Sequence, residues 1–444
     1  MFETLKNAFK VKEIRIKIYW TLLFLLLYRI GCYIPVPGIG TSLIPDEFSN
    51  NSYLSIMSMM TGGSLANGTL FAMGIGPYIN ASIIMQLLAV AIPPLERLSK
   101  QGEEGRKKIA SYTRYLTIIL AIVQSVGILL GYGEVYNGYA SLSSIIAGGV
   151  TDKVFPKFLS YVIIVLFYTA GTCVTMWIGE RITDYGVSNG ISLLIFAGII
   201  ASAGIFFGQQ FATIFANKSF DREAFLFLII YLIIVVVVFS AIIFVDLAER
   251  KISVQYAKQV KGRKMYGGQS TVIPIKVNAN GVMPLIFAFS IMTFPELIMT
   301  LFKADNALGW WQRWLGSQSQ YPFYAIILAL LIVFFAFFYS QIQFNPEDIS
   351  KTIQQNGGFI PGIRPGKPTA DYLKRISNRL TLFGAIFLAL LALIPTVILN
   401  FIPTITSGGA FNATGMLICV SVALEFNTAL ESQIMMKNYK GFLK

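Results

Sequence analysis

Residues 225–245, FLFLIIYLIIVVVVFSAIIFV, run for 21 positions without one charge. A helix rises about 1.5 Å per residue, so about 20 apolar residues cross a bilayer's hydrocarbon core. Such a helix satisfies its own backbone hydrogen bonds and can stand in lipid, whereas in water it would have to be buried on every side. Nine further segments have the same character: residues 18–34, 75–92, 112–130, 158–177, 191–211, 281–301, 321–339, 380–399 and 414–434. The expectation is an all-α integral membrane protein with ten transmembrane helices. Composition agrees, since only 13% of residues are charged and 55% are hydrophobic, against about a quarter charged in soluble chains.

Basic residues orient the spans. With the N-terminus placed inside, residues 1–17, 93–114, 178–190, 246–280, 340–379 and 435–444 hold 28 of the 35 Lys and Arg. The opposite loops hold six, and Arg29 lies within the first span. Positive charge concentrates on the cytoplasmic side of membrane proteins, so both termini are expected in the cytoplasm. The basic, amphipathic start MFETLKNAFKVKEIRIKIYW reads as a retained cytoplasmic helix rather than a cleaved signal. Five spans per half invert the second half relative to the first, an arrangement that commonly encloses a pathway. The expected layout is therefore a cytoplasmic helix at 1–17, a first five-helix half at 18–211 and a second at 212–434. Long cytoplasmic loops fall at 246–280 and 340–379, and a tail at 435–444.

Several chemistries find no residues to carry them. The chain has no histidine and three cysteines, Cys32, Cys173 and Cys419, each inside an apolar run and read as small buried hydrophobes. No metal site and no cofactor is expected. The string GIRPGKPT at 362–369 imitates a phosphate loop but has one residue too few between its glycines, and Pro368 follows Lys367. A transporter of small solutes would explain ten spans and inverted halves, yet it usually needs polar or ionisable groups at mid-membrane, which these spans nearly lack. An intramembrane enzyme would need a catalytic pair within the spans or a metal motif, and neither is present.

Residues 55–72 fit neither a span nor an ordinary loop. The segment SIMSMMTGGSLANGTLFA is helix-compatible through about Phe71 but carries Gly62, Gly63, Ser64, Asn67 and Gly68. Irregular backbone at membrane depth requires surrounding protein or a water-filled cavity; a surface amphipathic helix is the alternative reading.

Ordered matches across most of the chain then carry a resemblance. YRIGCYIPVPG, GIGPYINASIIMQLL, GVSNGISLLIFAGI, YAKQVKGRKMYGGQSTVIPIKVNANGVMP and FNPEDISKTIQQNGGFIPGIRPGKPT are similar to successive segments of the SecY family, the channel-forming subunits of the bacterial Sec translocase. The resemblance implies an hourglass pore between the two halves and a short re-entrant plug helix at 55–72, with Gly62, Gly63, Ser64, Asn67 and Gly68 in the plug. It implies a constriction ring of Ile75, Ile79, Ile191, Ile195, Ile286 and Ile418. Ile75 and Ile79, like Ile191 and Ile195, are four apart and share a helix face. It also implies a lateral gate beside Asn80, Gln86, Asn278 and Asn280, and partner contacts at Arg263, Lys264 and Arg364. The partners implied are SecE-like and SecG-like small membrane subunits, a SecA-type motor ATPase, the ribosome, secretory precursor polypeptides and membrane lipids. The implied task is passing unfolded polypeptides across the bacterial cytoplasmic membrane and releasing membrane segments sideways into lipid.

Overall fold

The structure, a computed structural model, describes residues 2–37, 58, 60–65, 67–99, 101–131, 154–215, 222–256, 259–261, 264–266, 270–278, 281, 283–301, 305–315, 323–401 and 413–441. Its helices are α1 (Phe2–Lys10), α2 (Lys12–Gly31), α3 (Gly76–Ala91), α4 (Pro93–Ser99), α5 (Glu103–Gly131), α6 (Val154–Tyr185), α7 (Gly190–Phe215) and α8 (Arg222–Leu247). They continue with α9 (Met283–Leu301), α10 (Asp305–Leu315), α11 (Phe323–Gln343), α12 (Pro346–Gln355), α13 (Lys367–Phe401) and α14 (Ala413–Gly441). Each of the ten expected spans coincides with one of them.

Among the described residues, seven helices are long and apolar enough to cross a membrane, or eight when α3 and α4 count as one bent span. The bend, 106°, follows from Pro93 and Pro94. Ile92 is extended, φ −108° and ψ 112°, because a residue preceding proline is pushed out of the helical region. The first expected span matches α2, which also carries Lys12, Arg15, Lys17 and Arg29; α9 matches the seventh. Large apolar side chains face outward along these helices, among them Leu22, Leu26, Val236, Val237 and Phe244, which is 79% exposed. Contiguous exposed apolar surface of this kind suits lipid rather than water.

Two compact units emerge, one of residues 1–231, 290–324 and 399–444, the other of 232–289 and 325–398. In the first, α5 packs on α3 and α6, α7 packs on α6 and α14, and α1 docks on α14. Ala8, Ile14, Ile18, Val187 and Leu430 form the apolar seam of that docking. Polar clips flank it: Thr4 Oγ1 donates to Glu431 (3.1 Å) and Gln433 Nε2 to the Val187 carbonyl (3.1 Å).

In the second unit the residues after α8 form a sheet. Strands β1 (Glu249–Tyr256), β4 (Ser270–Lys276) and β5 (Gly358–Phe359) pair antiparallel in the order β4-β1-β5, and β2 (Gln259–Lys261) pairs with β3 (Lys264–Tyr266) as a separate ribbon. Strand alternation explains the sheet: Ile252 and Val254 point into a core while Lys251, Ser253 and Gln255 stay exposed. Ile275, Ile353, Ile360 and Leu373 complete that core.

Candidate channel site

Between α2 and α3 the chain turns continuously from Thr61 to Leu65 and from Asn67 to Ile75, with one bridge residue, Thr69. Among the described residues of the expected plug helix only Ser58 and Met60 are helical. The helix stops because Gly62, Gly63, Gly68 and Gly74 hold φ of 67°, 84°, 58° and 51°, a left-handed region that right-handed helices exclude and that glycine enters without penalty. Backbone rungs tie the segment's end to the exit of α2: Leu70 N–H donates to the Ile34 carbonyl (2.8 Å) and Val36 N–H to the Gly68 carbonyl (3.2 Å). Ser64 is buried and donates to the Thr61 carbonyl (2.9 Å), whereas Asn67 is exposed.

Three helical glycines admit this segment. A side chain at Gly31 of α2 would collide with the Phe71 ring, one at Gly171 of α6 with the Leu70 carbonyl, and one at Gly198 of α7 with the Met60 carbonyl. Phe71 also stacks on the fully buried Tyr28, ring centroids 5.7 Å apart and planes within 10°. The turns are thus caged by α2, α6 and α7, each approached where it lacks a side chain. Sequence reading missed these three glycines and Gly179, since the partner of a helical glycine is distant in sequence.

Two of the expected ring residues approach the same point on α6, Gly179. Ile75 precedes α3 at φ −96°, ψ 0°, and Ile191 lies in the first turn of α7, where its N–H bonds to Asn189 Oδ1 (3.0 Å). A methyl group built on Gly179 of α6 would stand 3.5 Å from Ile191 Cγ1, 3.6 Å from Ile75 Cδ1 and 3.3 Å from Leu194 Cδ1. Both isoleucines therefore pack at Gly179, where α6 lacks a side chain. Ile79, Ile195 and Ile418 are buried, the latter two on helices that pack together, and Ile191 is half-buried. Ile286 belongs to the other unit and is half-buried on α9.

The expected gate residues are scattered. Asn278 is a structural clip, donating from Nδ2 to Asp246 Oδ1 (2.7 Å) and so tying the end of α8 to the residues after β4. Gln86 Nε2 donates to Ser82 Oγ one helical turn earlier (3.1 Å), and Asn80 is half-buried on the same helix. Asn280 and Arg263 lie outside the described residues, and Lys264 opens β3.

Arg364 is exposed on a braced turn. Gly362 and Gly366 take left-handed φ of 82° and 94° on either side of it. Ile360 and Ile363 pin the turn to the sheet core, Ser350 Oγ donates to the Gly366 carbonyl (2.7 Å), and Thr369 Oγ1 donates to the Arg364 carbonyl itself (2.9 Å). Nearby, α11, α12 and α13 border a cavity of about 530 Å³ lined by residues including Glu347, Lys351, Asp371 and Lys374. Its mixed charge favours neither sign of ligand.

The SecY family model matches residues 69–427. The chain is 40% identical to the protein translocase subunit SecY of Bacillus licheniformis and 39% identical to that of Bacillus subtilis, each alignment covering all of both chains. Its fold is similar to a structure described as a protein conducting channel, with TM-score 0.67 and 21% identity over 94% of this chain and 92% of that one. It is also similar to Sec61 in the canine ribosome-channel complex, with TM-score 0.62 and 19% identity over the same shares. With a family model spanning most of its length and relatives matched end to end, the chain belongs to the SecY family.

Proposed function

We propose that this multi-pass membrane protein is the pore subunit of a translocon in the bacterial cytoplasmic membrane, with both termini in the cytoplasm. It conducts unfolded secretory polypeptides and releases transmembrane segments into lipid. The observation that carries the reading is the packing of Ile75 and Ile191 at Gly179 beside a caged irregular segment, in a chain 40% identical over its whole length to a translocase subunit. Residues 55–72 act as the plug. Ile75, Ile79, Ile191, Ile195, Ile286 and Ile418 act as the constriction, Ile286 entering on the sequence resemblance alone. An aliphatic ring offers water no hydrogen bonds, so when narrow it dewets and opposes ions. Because it reads no side chain, any extended peptide can pass. Asn80, Gln86, Asn278 and Asn280 flank the lateral seam.

The chain has no nucleotide motif, so an external engine drives transport. A SecA-type motor or a translating ribosome engages Arg364, Arg263 and Lys264, and small SecE-like and SecG-like subunits complete the complex. Stalling a secretory precursor in transit tests the pore. Cysteine probes at Ile75, Ile195 and Ile286 are introduced after replacement of Cys32, Cys173 and Cys419. Adducts from all three to the precursor support the assignment; adducts confined to the loops overturn it and reopen the transporter reading.

A further inference from the structure

The guanidinium of Arg29 lies where a side chain at position 62 would otherwise stand. A Cβ on Gly62 would fall 2.5 Å from Arg29 Nη1, 3.1 Å from the Gly198 carbonyl oxygen and 3.3 Å from Ala201 Cβ. Gly62 already holds φ 67°. Arg29 thus presses α2's last turn onto the first turn of the plug, which in turn rests on α7. Its Cζ sits over the Tyr33 ring, 5.4 Å from the centroid, a placement that stabilises a cation. Cys32 hydrogen-bonds the guanidinium, yet Nη1 itself is buried and has no hydrogen-bond acceptor among the described residues. A buried charged donor without an acceptor is a standing cost to the conformation that buries it.

We infer that Arg29 is a positioning residue that keeps the seated plug displaceable: its unpaired N–H penalises the closed state, and lifting the Gly62 turn exposes that N–H to water. The inference rests on the pore reading above. The seated plug favours glycine at position 62 because its left-handed φ strains any other residue, and the Gly198 carbonyl and the Arg29 tip both crowd an added Cβ.

The test uses the full-length chain with its co-purifying subunits in planar bilayers, with resting and signal-peptide-induced conductance as readouts. Arg29→Met removes the charge and the terminal nitrogens. It should lower peptide-induced opening roughly tenfold, from the release of one unsatisfied buried donor. Arg29→Lys keeps the cation and should open within about twofold of wild type. Gly62→Ala should raise resting conductance, and adding Arg29→Met should lower that leak without abolishing it, because the left-handed φ and the Gly198 carbonyl still oppose the methyl group. Retained co-purification of the subunits shows that each variant folds. Opening by Arg29→Met equal to wild type, or a Gly62→Ala leak unchanged by it, overturns the inference while leaving the pore intact. Absence of any peptide-induced conductance in the wild type overturns the pore reading, and this inference with it.

Discussion

Two glycines of the same helix make opposite predictions. At Gly198 an added methyl group would overlap the Met60 carbonyl and lie 3.4 Å from the Gly62 nitrogen, while at Gly204 it would meet nothing within 4 Å. Both substitutions to alanine gain the same helix propensity, about 1 kcal/mol. Gly204→Ala should therefore leave closure untouched and stabilise the chain by up to that amount. At Gly198 the obstacle is backbone, not a flexible side-chain tip, so relief requires residues 60–62 to move off α7. Overpacking of this kind costs about 1–3 kcal/mol. At about 1.4 kcal/mol per tenfold change in an equilibrium, the unseated plug becomes roughly five- to 150-fold more populated. Resting conductance reads that population directly. Amide exchange across residues 60–75 gives a second reading and should accelerate in Gly198→Ala and not in Gly204→Ala. If the two variants leak and exchange alike, the caging of the plug by helical glycines is refuted.

Replacing Ile79 and Ile195 together with glycine should open the constriction and raise resting ion conductance in planar bilayers; an unchanged seal would count against the ring. Arg364→Glu should abolish motor-driven secretion of a reporter precursor while membrane insertion and assembly continue, and normal secretion would remove Arg364 from the partner surface. Ser350→Ala deletes the hydrogen bond to the Gly366 carbonyl and should cost about 0.5–1.5 kcal/mol. Limited proteolysis should then cut the 360–369 turn faster, and an unaltered cutting rate would show that the sheet core alone braces it.

The membrane helices were legible because an apolar run of about 20 residues has few other fates. Their ends were not. The expected span at 112–130 begins at Glu103 and the one at 158–177 continues to Tyr185, because polar residues outside lipid can stay helical. There Arg114 Nε and Glu180 Oε1 pair across α5 and α6 at 2.7 Å, an exposed bridge of about 1 kcal/mol at most. The sheet after α8 was missed, since residues 246–280 were expected only as a long loop, although Ile252 and Val254 alternate with Lys251, Ser253 and Gln255. The plug was legible as an anomaly but its form was not. Only backbone geometry shows its three glycines, Gly62, Gly63 and Gly68, in left-handed conformation. The partner of Asn278 was unreadable as well, since Asp246 lies 32 positions away.

The segment proposed as the plug is held in two different ways, and the difference decides which part could leave. Residues 68 and 70 are joined to the end of α2 by backbone hydrogen bonds on both sides of the Pro35–Thr69 bridge. Residues 61–65 bond mostly within their own turns, through Thr61 to Ser58, Ser64 to Thr61, and Thr69 back to Ser64, with one side-chain hydrogen bond between Ser64 and Cys32 at the end of α2. What fixes them to α7 is shape, the approach of a carbonyl to Gly198 and of a turn to Ala201. A backbone rung can break only by exposing a donor and an acceptor together, each costly away from water. A steric seat exacts no such toll, because dispersion contacts are individually small and are regained on any apolar surface. Displacement should therefore begin at the Gly62 turn and pivot at Gly68, with Leu70 still bound to Ile34. A plug of residues 55–72 held in this way would move aside without unfolding.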